Sequence, residues 1–475
     1  MTAEWGAITA EEIIQPIGGE LVSGRSGSII SGVSTDSREI EPGRIFLALK
    51  GERYDGHDFA GKALEKGASG IVIEKGRRSG VSANNDTAII AVPDTLRALG
   101  DLASWWRQQH NVTVAAITGS MGKTTTKEMT SNILRLSART LKNKGNLNNL
   151  IGLPLTLLGL EKKDRRAVLE MGMNQPGEIG RLTEIADPDI GLITNVARAH
   201  LEGVRGISGV ARAKAELIEK ISTGSQVIVY GDDDLLMREV SRFDREIITY
   251  GLGPDNDIRA DKIENMGLQG ISFDLRHNGK SVPVRIKIPG FQNLFNALAA
   301  SAIAICMKEN FDHIVAGLNN FEGIEGRFMP VLFPGDIILV DDTYNSNPSS
   351  LKTALDSIKE MAGGGKRLIV GLGEMMELGD ETMSAHLEAG NMVAEFGASY
   401  LFAIGAHARD MLTGAMQKGL PAERAIEAES HQDMARKIGD TVKKGDLILL
   451  KGSRKTGLDR VSQILKERKL GGGLQ

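Results

Sequence analysis

Short apolar runs separated by longer amphipathic stretches recur along the chain, and they fall into three blocks. The first holds Ile45-Phe-Leu-Ala-Leu49, Gly70-Ile-Val-Ile73 and Ala88-Ile-Ile-Ala-Val92. The second holds Val112-Thr-Val-Ala-Ala-Ile117, Ala167-Val-Leu-Glu170, Asp189-Ile-Gly-Leu-Ile-Thr194 and Gln226-Val-Ile-Val-Tyr230. The third holds Ile337-Ile-Leu-Val-Asp341, Leu368-Ile-Val-Gly-Leu372, Tyr400-Leu-Phe-Ala-Ile404 and Leu447-Ile-Leu-Leu-Lys451. Runs of this length with helical patterns between them predict parallel sheets with crossover helices. The pattern changes between residues 257 and 289, where apolar alternation flanks His277-Asn-Gly-Lys280. That is an antiparallel hairpin signal, and it predicts a small β-meander decorating the second sheet. The expected fold class is α/β in three domains: a small α/β unit over residues 1–108, a central P-loop parallel-sheet unit over 109–325, and a Rossmann-like, doubly wound unit over 326–475.

The second block opens on Val112-Thr-Val-Ala-Ala-Ile-Thr-Gly-Ser-Met-Gly-Lys-Thr-Thr-Thr-Lys127, where a β-branched run meets a glycine-containing turn. That is a phosphate-binding loop. Gly119 and Gly122 let backbone N–H groups close around phosphate oxygens, Lys123 adds positive charge, and the Thr124 hydroxyl can ligate Mg²⁺. Ser120, Met121 and Thr125 complete the turn. Met129, Ile133 and Leu136 place an apolar stripe on the helix that follows. The general signature asks for a glycine where Ile117 stands, so the loop is a variant form.

A net charge of −4 with no long basic block excludes a sequence-independent nucleic-acid binder. The single cysteine, Cys306, sits in a small-residue apolar run and reads as a buried structural thiol, with no intrachain disulfide possible. The N-terminus lacks a basic region followed by an apolar core, and no later apolar run is long enough to span a membrane. A soluble, cytoplasmic monomer is expected.

Glu170 follows an apolar strand, which would set its carboxylate near the phosphate loop where a nucleotide's Mg²⁺ needs oxygen; the alternative is an ordinary strand-end acid in solvent. His200 also follows a strand, and Lys214 lies in Ala211-Arg-Ala-Lys-Ala-Glu216, among small residues that suggest close packing around the lysine. Gly326-Arg327 and Asp341-Asp-Thr-Tyr-Asn-Ser-Asn-Pro348 offer an arginine for a transferring phosphoryl group and an aspartate for ribose hydroxyls; a charged helix start is the competing reading of the aspartates. The loop Gly32-Val-Ser-Thr-Asp-Ser-Arg38 is equally a solvated turn or a binding site when taken alone.

Together these motifs resemble the Mur ligases over nearly the whole chain. The resemblance is carried by Ser34-Thr-Asp-Ser-Arg38, Asp55-Gly-His-Asp-Phe59, Thr118-Gly-Ser-Met-Gly-Lys-Thr-Thr125, Gly145-Asn-Leu-Asn-Asn-Leu-Ile-Gly-Leu-Pro154, Glu170-Met-Gly-Met-Asn174, Ala199-His-Leu201 and Ala213-Lys214, and by Asp341–Pro348, Leu372-Gly-Glu-Met-Met-Glu-Leu-Gly379 and Lys451-Gly-Ser-Arg454. It implies that the N-terminal domain holds a UDP group, the central domain the ATP phosphates, and that the C-terminal domain closes over both. It further implies that Lys123 contacts phosphates, that Thr124 and Glu170 hold one Mg²⁺, that His200 helps hold a second, and that Lys214 carries a carbamate. Asn296 would meet adenine, Arg327 the γ-phosphate and Asp342 the ribose. Ser34, Asp36, Ser37 and Arg38 would lie near uridine diphosphate, with Asn148, Asn149 and Asn345 toward the remaining substrate.

The implied reaction is ATP-dependent ligation through an acyl phosphate. The C-terminal motifs favour addition of D-alanyl-D-alanine to UDP-N-acetylmuramoyl-tripeptide over addition of the third amino acid or of glutamate to folate. A phosphate-loop ATPase switch is the rival from another class. Two positions depart from the family's pattern: Gln292 stands where histidine is common, and Glu374 where aspartate is common.

Overall fold

A computed structural model of the chain describes residues 5–6, 8–77, 87–198, 203, 206–362 and 365–468. Three principal sheets follow one another along it. The first runs Glu20–Ser23, Ala88–Val92, Gly70–Glu74, Ile45–Leu47, Val33–Ser34, with only the outermost pairing, onto Glu20–Ser23, antiparallel. The second has nine strands in the order Lys280–Ile286, Ile271–His277, Ile258–Asn265, Ile247–Gly251, Gln226–Tyr230, Ile190–Ile193, Thr113–Thr118, Arg166–Glu170, Thr140–Lys142. The third runs Met329–Phe333, Ile337–Asp342, Leu447–Lys451, Leu368–Gly373, Tyr400–Ile404, Ala425–Glu427, parallel except for its first strand. Apolar clusters cover both faces of this last sheet, as a doubly wound unit requires.

The predicted meander does not decorate the central sheet but extends it. Ile258–Asn265 pairs parallel with Ile247–Gly251 and antiparallel with Ile271–His277, so one set of backbone hydrogen bonds runs across all nine strands. Its hairpin turns on Asn278 and Gly279, with φ of 47° and 76°, as a two-residue turn matched to strand twist demands. The stripe on the phosphate-loop helix is shorter than expected. The helix is Lys123–Leu134, and Met129 and Ile133 are fully buried, whereas Leu136 lies beyond its end and is 45% exposed. Cys306 is only half-buried, although burial still pushes its thiol up to about 12. Among the described residues, no helix is long and apolar enough to cross a membrane.

The first and second sheets share one apolar cluster. Helix Thr95–Gln108, capped by the Asp94 carboxylate accepting from Arg97 N at 2.9 Å, buries Leu99, Leu102 and Trp106 in the cluster that also holds Leu153, Leu157, Leu182 and Ile185. Trp5 stacks on Trp106 with ring centroids 4.5 Å apart, and the indoles donate to Leu158 O at 3.1 Å and Leu160 O at 3.3 Å. Trp106→Ala is expected to cost about 3–5 kcal/mol, readable as a shift in the denaturant midpoint of unfolding.

Candidate functional site

Strand Thr113–Thr118 lies between Ile190–Ile193 and Arg166–Glu170, all parallel, so the phosphate loop, Thr194 and Glu170 emerge side by side at their carboxyl ends. Gly119 has φ +144°, and a Cβ there would sit 1.8 Å from Thr194 Oγ1; Gly122, φ +82°, precedes the helix and abuts the Asn296 side chain. Neither position accepts a side chain. The adjacent strand end pins the loop: Met121 N donates to Asn195 Oδ1 at 3.0 Å, Thr194 Oγ1 donates to Met121 O at 2.6 Å, and Ala197 N donates to Ser120 Oγ at 2.9 Å. In the sequence, only their place at the end of an apolar run marks Thr194 and Asn195.

Lys123 donates from Nζ to Gly119 O at 2.7 Å, and burial lowers its pKa while the nearby Glu170 carboxylate opposes that shift. Glu170 is 4% exposed. Asn143 holds its backbone at both ends, accepting from Glu170 N at 2.9 Å and donating to Glu170 O at 2.8 Å, and Asn148 Nδ2 donates to its Oε1 at 2.8 Å. Its Oε2 is buried with no hydrogen-bond partner, and the closest cation to it, Lys127, is 3.9 Å away. An orphaned, buried carboxylate oxygen close enough to Lys123 of the loop to raise that lysine's pKa fits a hard cation, so the Glu170 carboxylate suits Mg²⁺.

Lys214, on helix Gly206–Lys220, is 1% exposed and has no hydrogen bond or ion pair among the described contacts. Burial first, and the neighbouring positive charge of Lys123 second, lower its pKa well below the ordinary lysine value. His200 lies outside the described residues.

The third sheet faces this wall across a cavity of about 640 Å³ lined by Ser120, Met121, Gly122, Thr125, Asn296, Arg327, Asp342, Asn345 and Lys451. Arg327 Nη2 donates to Thr124 Oγ1 at 2.9 Å, its Nε is buried without a partner, and its guanidinium carbon lies 3.8 Å from the Tyr344 ring centroid. Asp342 accepts from Lys451 Nζ at 2.6 Å and from Phe328 N at 3.2 Å; Asn345 O also accepts from Lys451, at 3.0 Å. The preceding Asp341 turns inward to Thr343, Ser462 and Lys466, which makes it a structural group. Asn296 Nδ2 donates to Asn293 Oδ1 at 3.2 Å. Phe291, Phe295 and Tyr230 line the same end of the cavity and supply aromatic surface that residue patterning left unnoticed. Gln292 accepts from Ser357 Oγ at 2.6 Å across the two units, and Glu374 accepts from His407 N at 3.1 Å, away from the phosphate loop.

The N-terminal candidates stand apart from the cavity. Asp36 accepts from Arg38 through Nη2 at 2.6 Å, which holds its pKa at about 2, and Ser34 Oγ donates to Asp36 O at 3.0 Å. Ser37 lies in the same turn. Asn149 is exposed and its Oδ1 accepts from Gly152 N at 2.8 Å, so its side chain starts the helix Gly152–Leu157. His57 accepts from Glu74 N at its Nε2, which leaves Nδ1 to donate to Asp55 at 2.6 Å and makes the Asp55-Gly-His57 turn a brace for the first sheet.

Comparison with known proteins agrees with this architecture. Residues 29–107 match the Mur ligase family catalytic domain, 117–304 the Mur ligase middle domain, and 326–454 the Mur ligase glutamate ligase domain. The UDP-N-acetylmuramoyl-tripeptide–D-alanyl-D-alanine ligase of Escherichia coli is 34% identical over 97% of this chain and 99% of its own length; that of Bacillus subtilis is 33% identical over the same shares. The crystal structure of MurF from Acinetobacter baumannii superposes with a TM-score of 0.85, at 31% identity over 97% of this chain and 99% of that one. MurF from Thermotoga maritima, solved in complex with ADP, gives 0.80 at 27% identity over 92% of this chain and 97% of that one. Full-length similarity of this order, on a matching three-sheet architecture with the phosphate loop at its centre, places the chain in the Mur ligase family.

Proposed function

We propose that this chain joins D-alanyl-D-alanine to UDP-N-acetylmuramoyl-tripeptide at the expense of ATP, a step of peptidoglycan precursor synthesis. The carrying observation is that Lys123, Thr124 and Glu170 from the central unit and Arg327 and Asp342 from the C-terminal unit converge around one cleft. The tripeptide carboxylate attacks the γ-phosphorus, breaking the bond to ADP and forming an acyl phosphate. The dipeptide amine then attacks the acyl carbon, forming the amide, losing a proton and expelling phosphate.

Backbone N–H groups of the loop from Gly119 to Thr125, together with Lys123, hold the ATP phosphates. Arg327 stabilises charge on the transferring group. Asn296 and the Phe291, Phe295, Tyr230 cluster take adenine, and Asp342 takes the ribose. Thr124 and Glu170 would hold one Mg²⁺, and His200 with a carbamylated Lys214 would hold a second. Bound Mg²⁺ offsets repulsion between the carboxylate and the phosphates and polarises the γ-phosphoryl group. The N-terminal unit, residues 1–108, carries the uridine diphosphate near Ser34, Asp36, Ser37 and Arg38, while residues 109–325 and 326–475 form the two walls of the ATP cleft. Asn148, Asn149 and Asn345 face the peptide. The enzyme works as a cytoplasmic monomer.

A coupled assay tests the reading. Phosphate release is expected only when both UDP-N-acetylmuramoyl-tripeptide and D-alanyl-D-alanine are present, with the pentapeptide product seen by mass spectrometry. ATP turnover indifferent to both would overturn it in favour of a nucleotide-driven switch.

A further inference from the structure

Among the described residues, every non-glycine position with left-handed backbone carries an exposed polar or charged side chain, with one exception. Phe328 has φ +55° and is 4% exposed. A bulky side chain persists in that conformation only where its surroundings over-determine it, and such strain gathers at functional sites. The surroundings of Phe328 do so. It belongs to the apolar cluster that holds Val340, Leu351 and Ala354, and its N–H donates to Asp342 Oδ1 at 3.2 Å. On the other side of Arg327, Gly326, with φ +72°, accepts through its carbonyl from Tyr344 N at 3.1 Å. The arginine backbone is thus clamped through both neighbours to the chain around the end of strand Ile337–Asp342, and its side chain crosses to Thr124 Oγ1 at 2.9 Å.

Strand Met329–Phe333, which follows directly, gives this strain a purpose. Val331 and Phe333 pack on the cluster at one face of the third sheet, whereas Phe328 belongs to the cluster at the other. The face of Phe328 is the one beside the cleft, because Ala354 of helix Pro348–Ala362 belongs to the same cluster and lines the cavity together with Phe328 and Arg327. Side chains two apart on a strand share a face, so an unbroken strand would carry Arg327 round with Val331 and Phe333, away from Ala354 and the cavity. A left-handed residue at position 328 interrupts that alternation. We infer that Phe328 is a positioning residue for Arg327: its buried ring holds the backbone in the left-handed conformation, and that conformation aims the guanidinium into the cleft. The inference rests on the ligase reading above, in which Arg327 meets the γ-phosphate.

Leucine and isoleucine are isomers of nearly equal volume, but branching at Cβ crowds the backbone and disfavours the left-handed conformation for isoleucine. Phe328→Leu and Phe328→Ile therefore lose similar packing and differ in the backbone they accept. In the joining of D-alanyl-D-alanine to UDP-N-acetylmuramoyl-tripeptide, the leucine variant is expected within about fivefold of the wild-type kcat, and the isoleucine variant on the order of 30-fold below leucine, with KM for ATP alike in the two. In the Arg327→Ala background the two isomers are expected to agree within about twofold, because aiming matters only when the guanidinium is present. Equal kcat for the isomers, or a gap that persists without the guanidinium, overturns the inference and leaves Phe328 as core packing alone. If the isoleucine variant fails to fold, Phe328→Gly and Phe328→Ala repeat the comparison: both lack the ring, glycine alone takes positive φ freely, and a kcat for the glycine variant no higher than for the alanine variant overturns the inference likewise. Wild-type protein with no turnover that requires both substrates would instead remove the ligase reading itself.

Discussion

Lys214→Ala is expected to lower turnover by about a thousandfold or more, and a short carboxylic acid added to the variant is expected to restore part of it. Lys214 is flanked by Ala213 and Ala215 and is almost wholly enclosed, with a second ammonium, Lys123, as its neighbour. A cation there lacks solvent and, among the described residues, a counter-charge, so the neutral amine is favoured. In the proposed carbamylation that neutral amine would add CO₂: the N–C bond would form, a proton would leave, and the side chain would become an anion. Such an anion would attract Lys123, which the ammonium repels. Removing the amine deletes the anion, and a small carboxylate that enters the vacated space replaces the charge without the tether. Steady-state turnover with and without added acid reads this directly, and full activity in the unrescued variant would refute a role for the carbamate.

Arg327→Ala should reduce kcat by on the order of a thousandfold, within the range seen when a phosphoryl-transfer arginine is removed. The guanidinium is presented from the opposite wall of the cleft, stacked on Tyr344, with one nitrogen on Thr124 and a buried Nε that still needs an acceptor. In the proposed reaction a γ-phosphate oxygen would supply that acceptor, most strongly when charge spreads over the transferring group. Arg327→Lys is expected to recover little, because a point charge can neither stack on the ring nor bridge two acceptors. The split between constants identifies the role. Lost kcat with KM for ATP nearly unchanged marks transition-state stabilisation, whereas a loss confined to KM would make Arg327 only a clasp between the two walls.

Much of this site is legible in the sequence because its first elements are local. Gly119, Gly122, Lys123 and Thr124 are consecutive in one turn, and the apolar run before them fixes where that turn sits in a sheet. Glu170 could be placed from its strand alone. What holds these groups comes from residues distant in the chain. Asn195 braces Met121 from 74 positions away, and Asn143 clamps Glu170 from 27, contacts that exist only once the strand order is known. The Phe291, Phe295, Tyr230 cluster is likewise an accident of sequence until helix Gln292–Cys306 is docked beside strand Gln226–Tyr230. Strand Thr140–Lys142 is too short for a period to register, and Ile247–Gly251 and Met329–Phe333 are largely half-buried, so neither shows the in-and-out alternation of a sheet with one wet face. The turn at Asn278-Gly279 marks the meander in the sequence, but its role as the continuation of the central sheet is a matter of pairing that periodicity does not encode.

The two seams between units have opposite character. The first sheet is welded to the second by an unbroken apolar cluster through Trp5 and Trp106, whereas the third meets the second through polar contacts such as Arg327 to Thr124, Ser357 to Gln292, Asn265 to Glu360, and Arg198 to Glu381. Opening the apolar seam exposes oily surface to water at a large cost; opening the polar one largely exchanges protein partners for water. The seam that parts at the smaller cost is therefore the one that also borders the nucleotide cleft. A ligand touching both walls of that cleft would add its own contacts to the weaker seam and so tie the third unit to the other two.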